Sequence, residues 1–184
     1  TSGPGRTAVK KERAQPSELL DRQPPCNIAL EREVLAAIIV GRDSDKFAQA
    51  VKDAVAYLNP ADFYSGFHKE VFALLKEAVE HGVPLASKGC LWQWIKDTRG
   101  AQWTDENWAA ILADIVLDTP AYLHIEYYSR ILRTVTARRH AIHIACDLVR
   151  TAWNDGVHPA RWAQQAVQRL ERFRERVLAS KIPE

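Results

Sequence analysis

Residues 59–72 read NPADFYSGFHKEVF. Within a few positions they carry a carboxylate (Asp62), a phenol (Tyr64), a hydroxyl (Ser65) and an imidazole (His68). Such a set forms either a catalytic corner or a loop that feeds a helix. Proline at position 60 biases Asn59 towards extended backbone. Asp62 can then accept bonds from free amides at the start of a turn or helix. Phe63 and Tyr64 place large apolar surfaces just ahead of a helix that begins near Gly66, as a hydrophobic staple does. His68 falls in the first turn of that helix, beside Phe67 and Phe72. A nucleophile–base pair needs an activated Ser or Cys and an orienting acid, and no such signature surrounds Ser65. Asp62, Phe63, Tyr64, His68 and Phe72 therefore read as a packing signature.

Helices extend from this stretch in both directions. Upstream, Asn27 is a candidate N-cap, Val34, Leu35, Ile38 and Ile39 share one face, and Gly41 offers a stop. Phe47, Val51, Val55 and Leu58 recur at helical spacing until Asn59-Pro60 breaks the run. Downstream, Phe67, Val71, Phe72, Leu75 and Val79 mark the next helix, closed by His81-Gly82. Ser87 can cap a helix carrying Leu91, Trp92, Trp94 and Ile95. Thr104 opens another, with acids in its first turn where they favour the helix dipole. Its apolar stripe is Trp108, Ile111, Leu112, Ile115 and Val116.

Thr119-Pro120 is a strong start signal, and no breaker follows until Asn154-Asp155-Gly156. With Thr119 as cap and Pro120 at the first helical position, this predicts a helix of about 34 residues, roughly 50 Å long. Pro159 then opens a last helix to about Ser180. Two long helices joined by a short turn fold back as an antiparallel hairpin. The expected fold is all-α: a compact orthogonal helix bundle over residues 26–118, then a long helical hairpin over 119–180. Residues 1–25, rich in Pro, Gly, Ser and mixed charge, read as a flexible leader. Residues 181–184 read as a tail.

With 184 residues, the chain can hide roughly two-thirds of its unfolded surface, enough for a core without staples. The only three cysteines, Cys26, Cys90 and Cys146, have neither disulfide nor zinc spacing and fit reduced thiols in a cytoplasmic protein. No apolar run approaches the ~20 residues of a membrane span, and no signal peptide is visible. Methionine is absent even at position 1, so the chain reads as a piece of a longer product.

Charge is unevenly spread. Residues 26–128 hold 9 basic and 15 acidic side chains, whereas 129–184 hold 11 and 5. The basic C-terminal third marks a surface of its own. Arg138-Arg139 could grip phosphates, but the interleaved aromatics of a single-strand binder are missing. His140 and His143 stand three apart beside arginines, unlike a metalloprotease pair, and no metal site is expected. Neither a phosphate-binding loop nor a dinucleotide glycine pattern occurs, which argues against a nucleotide-hydrolysing site of the usual kinds.

The far half of the hairpin carries more apolar surface than one helix-to-helix seam needs. Ile142, Ala145, Leu148, Val149, Trp153, Trp162 and Val167, with Arg139 at the rim, are the candidate self-association residues.

Four segments in order, PPCNIALEREVL, LNPADFYSGFHKEVF, EHGVPL and TPAYLHIEYYSRILRTVTARRHAI, resemble the N-terminal domain of bacterial replicative DNA helicases of the DnaB type. The family's early glutamate corresponds to Glu31, its Val-Leu pair to Val34-Leu35, and its Asp-Phe-Tyr and following His and Phe to Asp62-Phe63-Tyr64, His68 and Phe72. Its Thr-Pro helix corresponds to Thr119, Pro120, Ile125, Tyr128, Ile131 and Arg139. The sequence departs from the family at Ala86, where an aspartate is usual, and at TDENWAAIL, where a Gly-Gly-x-x-Tyr-Leu segment is usual.

The resemblance implies a non-catalytic collar module without a cofactor of its own, ATP and Mg belonging to a motor domain that follows it in the family. It implies partnership with itself, as a dimer or a trimer of dimers, with primase, and in some systems with a helicase loader. Ile131, Val135, Arg138 and Leu170 are the candidate primase-binding residues. DNA would be met only through the parent protein. The rival readings are the helicase-binding C-terminal domain of a bacterial primase, which resembles this module in fold, and an independent adaptor or DNA-binding protein using the basic hairpin.

Overall fold

A computed structural model describes residues 22–40, 45–85, 87–100, 103–116, 124–153 and 156–179. Seven α-helices occur among them and no strand. They are α1 (Ile28–Val40), α2 (Asp45–Tyr57), α3 (Gly66–Glu80), α4 (Lys88–Arg99), α5 (Asp105–Ile111), α6 (Ile125–Ala152) and α7 (Pro159–Ala179). A 3₁₀ turn at Pro60–Asp62 separates α2 from α3, and a π turn at Leu112–Val116 continues α5.

The local signals act as expected at several ends. Asn27 Oδ1 accepts the Leu30 amide at 3.0 Å, capping α1. Ser87 Oγ accepts the Cys90 amide at 3.4 Å, capping α4. Gly82 takes φ +70° after α3, where an L side chain would be strained. The expected stop at Gly41, the Thr119-Pro120 start, Ala86, the Asn154-Asp155 turn, the leader of residues 1–21 and the tail of residues 181–184 lie outside the described residues.

α1 is the centre of the fold. Leu30, Val34, Leu35, Ala36, Ala37, Ile38 and Ile39 are all buried. A helix apolar almost all round must be enclosed, and α3, the π turn and α6 pack against it. α2 packs on α3 and α6. Phe63 and Phe72, both buried, meet at 4.7 Å between ring centroids. α4 joins through Leu91 and Ile95, and Trp92 stacks on Trp108 at 5.5 Å.

Two expectations need correction. The long helix has 28 residues, Ile125–Ala152, about 42 Å at the usual rise. His124 takes φ −128° and ψ 43°, outside helical geometry, and caps the helix at Ile125, beyond the expected first position at Pro120. The helix predicted through Val116 instead ends its α geometry at Ile111 and widens into the π turn. The apolar spacing is kept there, since Ile111 and Ile115 are both buried, but the backbone advances differently and presents Asp114 towards α1 and α3.

α7 folds back along α6 as an antiparallel hairpin. Near its tip the Trp162 indole N–H donates to the Leu148 carbonyl at 3.2 Å. Farther along, Arg169 reaches Asp147 at 3.8 Å. Beyond Arg139 no residue of α6 is buried, and among the described side chains of α7 only Ala166 is. The first half of α6 thus belongs to the body, the C-terminal part of α7 shares a cleft with the 3₁₀ turn through Phe173 and Arg176, and the tip of the hairpin stands away from the body.

Candidate functional site

The stretch 59–72 is internal architecture. Asp62 is buried; its Oδ2 accepts the Asn59 amide at 2.8 Å and Arg133 Nη1 at 3.1 Å. Its backbone carbonyl accepts Thr136 Oγ1 at 2.8 Å and also Arg139 Nη2. Phe63, His68 and Phe72 are buried as the sequence reading expects, and Tyr64 is partly exposed under the Arg139 guanidinium. Ser65 Oγ accepts the His68 amide, so this serine is the N-cap of α3. His68 does more than pack. Its Nδ1 lies 2.8 Å from Glu31 Oε2, and both side chains are buried.

Glu31 is the residue the sequence reading underrated. Its carboxylate also accepts the Tyr64 amide at 2.6 Å and the Ser65 amide at 3.2 Å. An acid borrowed from α1 thus caps the N-terminus of α3, where the helix dipole favours negative charge. On its other side the His68 ring points Nε2 at Asp114, 3.7 Å away, and Asp114 pairs with Arg32 at 2.9 Å. The signal in the sequence was an acid in the first turn of a helix whose only other charges are Arg32 and Glu33.

Arg139 requires a correction of the sequence reading. Placed there at the rim of an interface, it is buried and turned inwards: it donates to the Pro25 carbonyl at 3.1 Å, to Thr136 Oγ1 at 2.9 Å and to the Asp62 carbonyl. Arg133, Thr136 and Arg139 recur every three residues on one side of α6 and fasten the hairpin to the 3₁₀ turn. That spacing was the available signal.

The free surface lies farther along the hairpin. At 100° per residue, Ile131, Val135, Arg138, Ile142, Ala145 and Val149 fall within a stripe about 80° wide on α6. Ile131 and Val135 are half-buried, Arg138 and Ala145 exposed, and Ile142 is 38% exposed. Trp153, 83% exposed, ends the stripe at the hairpin tip. His140, Ile144 and Asp147 lie on the opposite side, towards α7. Trp162, expected in the self-association surface, is half-buried in the seam between the two helices, where its indole meets the backbone carbonyl of Leu148; the Leu148 side chain is itself half-buried. Val167 and Leu170 are 55% and 50% exposed on α7. The structure therefore sorts the candidates into an α6 stripe, a seam and an α7 face.

His140 sits in that seam, in a cleft shared with Arg176 and Phe173. Its pKa is held below the ordinary 6.5, first by partial burial and then by the positive charge of Arg176; Asp62 opposes this, and Arg139 and His143 add to it. The sign follows from linkage. Between the lowered folded value and 6.5 the unfolded chain binds more protons, so the contribution is fully present above 6.5 and is lost as pH falls through that window. Melting of the native chain should therefore lose more on acidification than melting of His140→Gln, with the two pH profiles parallel above about 6.5; profiles parallel at every pH would contradict the shift.

Among the described residues no group of three or more His, Cys, Asp and Glu is arranged to hold a metal ion, and no helix is long and apolar enough to cross a membrane.

Residues 23–134 match the family described as the DnaB-like helicase N terminal domain. The chain is similar to the replicative DNA helicase DnaB of Treponema pallidum (strain Nichols), with 28% identity over 141 residues, which cover 76% of this chain. It spans only about 30% of that relative's length. In fold it is similar to the crystal structure of the N-terminal domain of DnaB helicase from Mycobacterium tuberculosis, with a TM-score of 0.62 and 20% identity over 81% of this chain and 99% of that one. The match over 23–134 takes in α1 to α5 and the braced start of α6, where Glu31, Asp62, His68 and Arg133 lie, and on that ground the chain belongs to the DnaB-like helicase N-terminal domain family.

Proposed function

We propose that this chain is the non-catalytic collar of a cytoplasmic replicative DNA helicase. In this reading it pairs with copies of itself, recruits primase and in some settings a loader, and meets DNA, ATP and Mg only through the motor of the parent protein. The observation that carries the reading is the α6 stripe. Its body end is half-buried, whereas Ile142, Ala145 and Trp153 farther along are exposed, with Val149 half-buried between them. An apolar row on a projecting hairpin is unfavourable in water unless covered. A two-fold pairing covers it with a second copy of the same row.

Sedimentation equilibrium tests the pairing. The native chain should self-associate, and Ile142→Asp/Trp153→Asp should sediment as a folded monomer, because both side chains are exposed in the single chain and the new charges are buried only in the assembly. A native chain that stays monomeric at high concentration, or a variant that still associates, would remove the stripe from the interface. Arg138 and Leu170 are the exposed members of the primase set. Leu170 lies on α7, off the α6 stripe, so Leu170→Asp should weaken capture of primase while leaving the sedimentation of the chain unchanged, whereas Arg138→Glu, on the stripe, should disturb both.

A further inference from the structure

The seam between α6 and α7 widens into two adjoining cavities of about 220 and 270 Å³, which share His140, Phe173 and Arg176. The larger has the volume of about nine liquid waters, room for an oxyanion and part of its hydration. Arg169, Arg172 and Arg176 line one wall of it at i, i+3 and i+7, a single face of α7. His140 and His143 line the other wall. Its one acid is Asp147, whose Oδ1 already meets Arg150 at 3.2 Å. Asp62, in the adjoining cavity, is likewise engaged by Arg133. Arg172 and Arg176 have no ion-pair partner among the described residues.

Three guanidiniums against one carboxylate leave the larger cavity with a charge of about +2 while its histidines are neutral, the balance a dianion would complete. We infer that this cleft binds phosphate groups, held by Arg172 and Arg176 from α7 and by His140 and His143 from α6. The geometry suits phosphate: forked guanidinium donors on one wall, imidazole nitrogens on the other, and an apolar floor from Phe173 and Ile144. This site uses side chains rather than a glycine-rich backbone loop, so the sequence motifs for nucleotides do not report it. It does not depend on the collar reading, because none of its residues belongs to the α6 stripe. The lowered pKa of His140 agrees with it, since the field of Arg176 is one of the causes, and a bound dianion opposes that field.

The test is a titration of the chain with inorganic pyrophosphate at low salt, followed through the imidazole NMR signals, with His140→Gln used to assign His140. The expected result is a saturable movement of the His140 signal towards its protonated position and a rise in its apparent pKa. Arg172→Gln/Arg176→Gln should weaken binding by about tenfold or more, as expected for loss of charge-assisted bonds. Both arginines are exposed, and a melting curve confirms that the variant folds. Oligothymidylate tests the source of the phosphate. The same His140 response with the same arginine dependence identifies a nucleic-acid backbone as a ligand, whereas a response to pyrophosphate alone identifies a free phosphate. No saturable response to either, a response undiminished in the double variant, or one given only by a glutamate-rich peptide would overturn the inference.

Discussion

Glu31→Gln is expected to destabilise the fold by about 3–5 kcal/mol, the range for removing one partner of a buried charged arrangement. The carboxylate accepts three donors in a site without water access: the amides of Tyr64 and Ser65 and Nδ1 of His68. Glutamine keeps the shape but offers one accepting oxygen, and its NH₂ must face a donor. Leaving buried donors unpaired costs about 1–3 kcal/mol each. Urea unfolding measures this as a lower midpoint at unchanged slope. His68→Ala should cost less, about 1–3 kcal/mol, because the two amides keep their acceptor. The double variant should lose less than the sum, since both changes remove the same bond. A loss under about 1 kcal/mol for Glu31→Gln, or strict additivity, would show that the carboxylate does not organise the 63–65 turn.

The same residue marks how far the sequence is legible. Helix positions follow from the spacing of apolar residues, because periodicity is a local property. Val34, Leu35, Ile38 and Ile39 could be assigned to a buried face without any knowledge of what covers it. Caps at Asn27 and Ser87 are legible for the same reason: their bonds span three residues. The bonds of Glu31 span 33 to 37 residues, and no periodic pattern announces a carboxylate meeting the start of a distant helix. The π turn at Leu112–Val116 was hidden differently, because one wider turn leaves Ile111 and Ile115 buried while re-aiming Asp114.

The candidate site divides along the same line. The hairpin and its surplus of apolar surface were visible in residues 139–170, and Ile142, Trp153 and Val167 are exposed. Which members serve the seam was not visible, since Leu148 and Trp162 differ from their neighbours only once the register of α7 on α6 is known. The phosphate cleft depends on that register too. His140 is more than thirty residues from Arg172 and Arg176 in the chain and faces them across the cleft only because the hairpin closes.

Arg139→Met should destabilise the chain by about 2–4 kcal/mol, through loss of a buried bond network, and should act on one joint of the fold. The guanidinium ties α6 to the chain entering α1, at the Pro25 carbonyl, and to the 3₁₀ turn, at the Asp62 carbonyl. Methionine can fill much of the volume but donates nothing. The Asp62 carbonyl keeps Thr136 Oγ1; the Pro25 carbonyl loses the arginine. Arg139→Lys should recover only part of the loss, because an ammonium cannot span both carbonyls as the planar fork does. The location of the damage is the sharper test. Amide exchange in Arg139→Met should rise at residues 22–27 and 60–65, while the half of the hairpin beyond Ile142 stays as protected as in the native chain. Self-association should persist in the folded fraction, since the open part of the α6 stripe is untouched. Were the variant instead as stable as the native chain but monomeric, Arg139 would belong to the surface between copies, and the brace between hairpin and body would have to be sought in Arg133 and Thr136 alone.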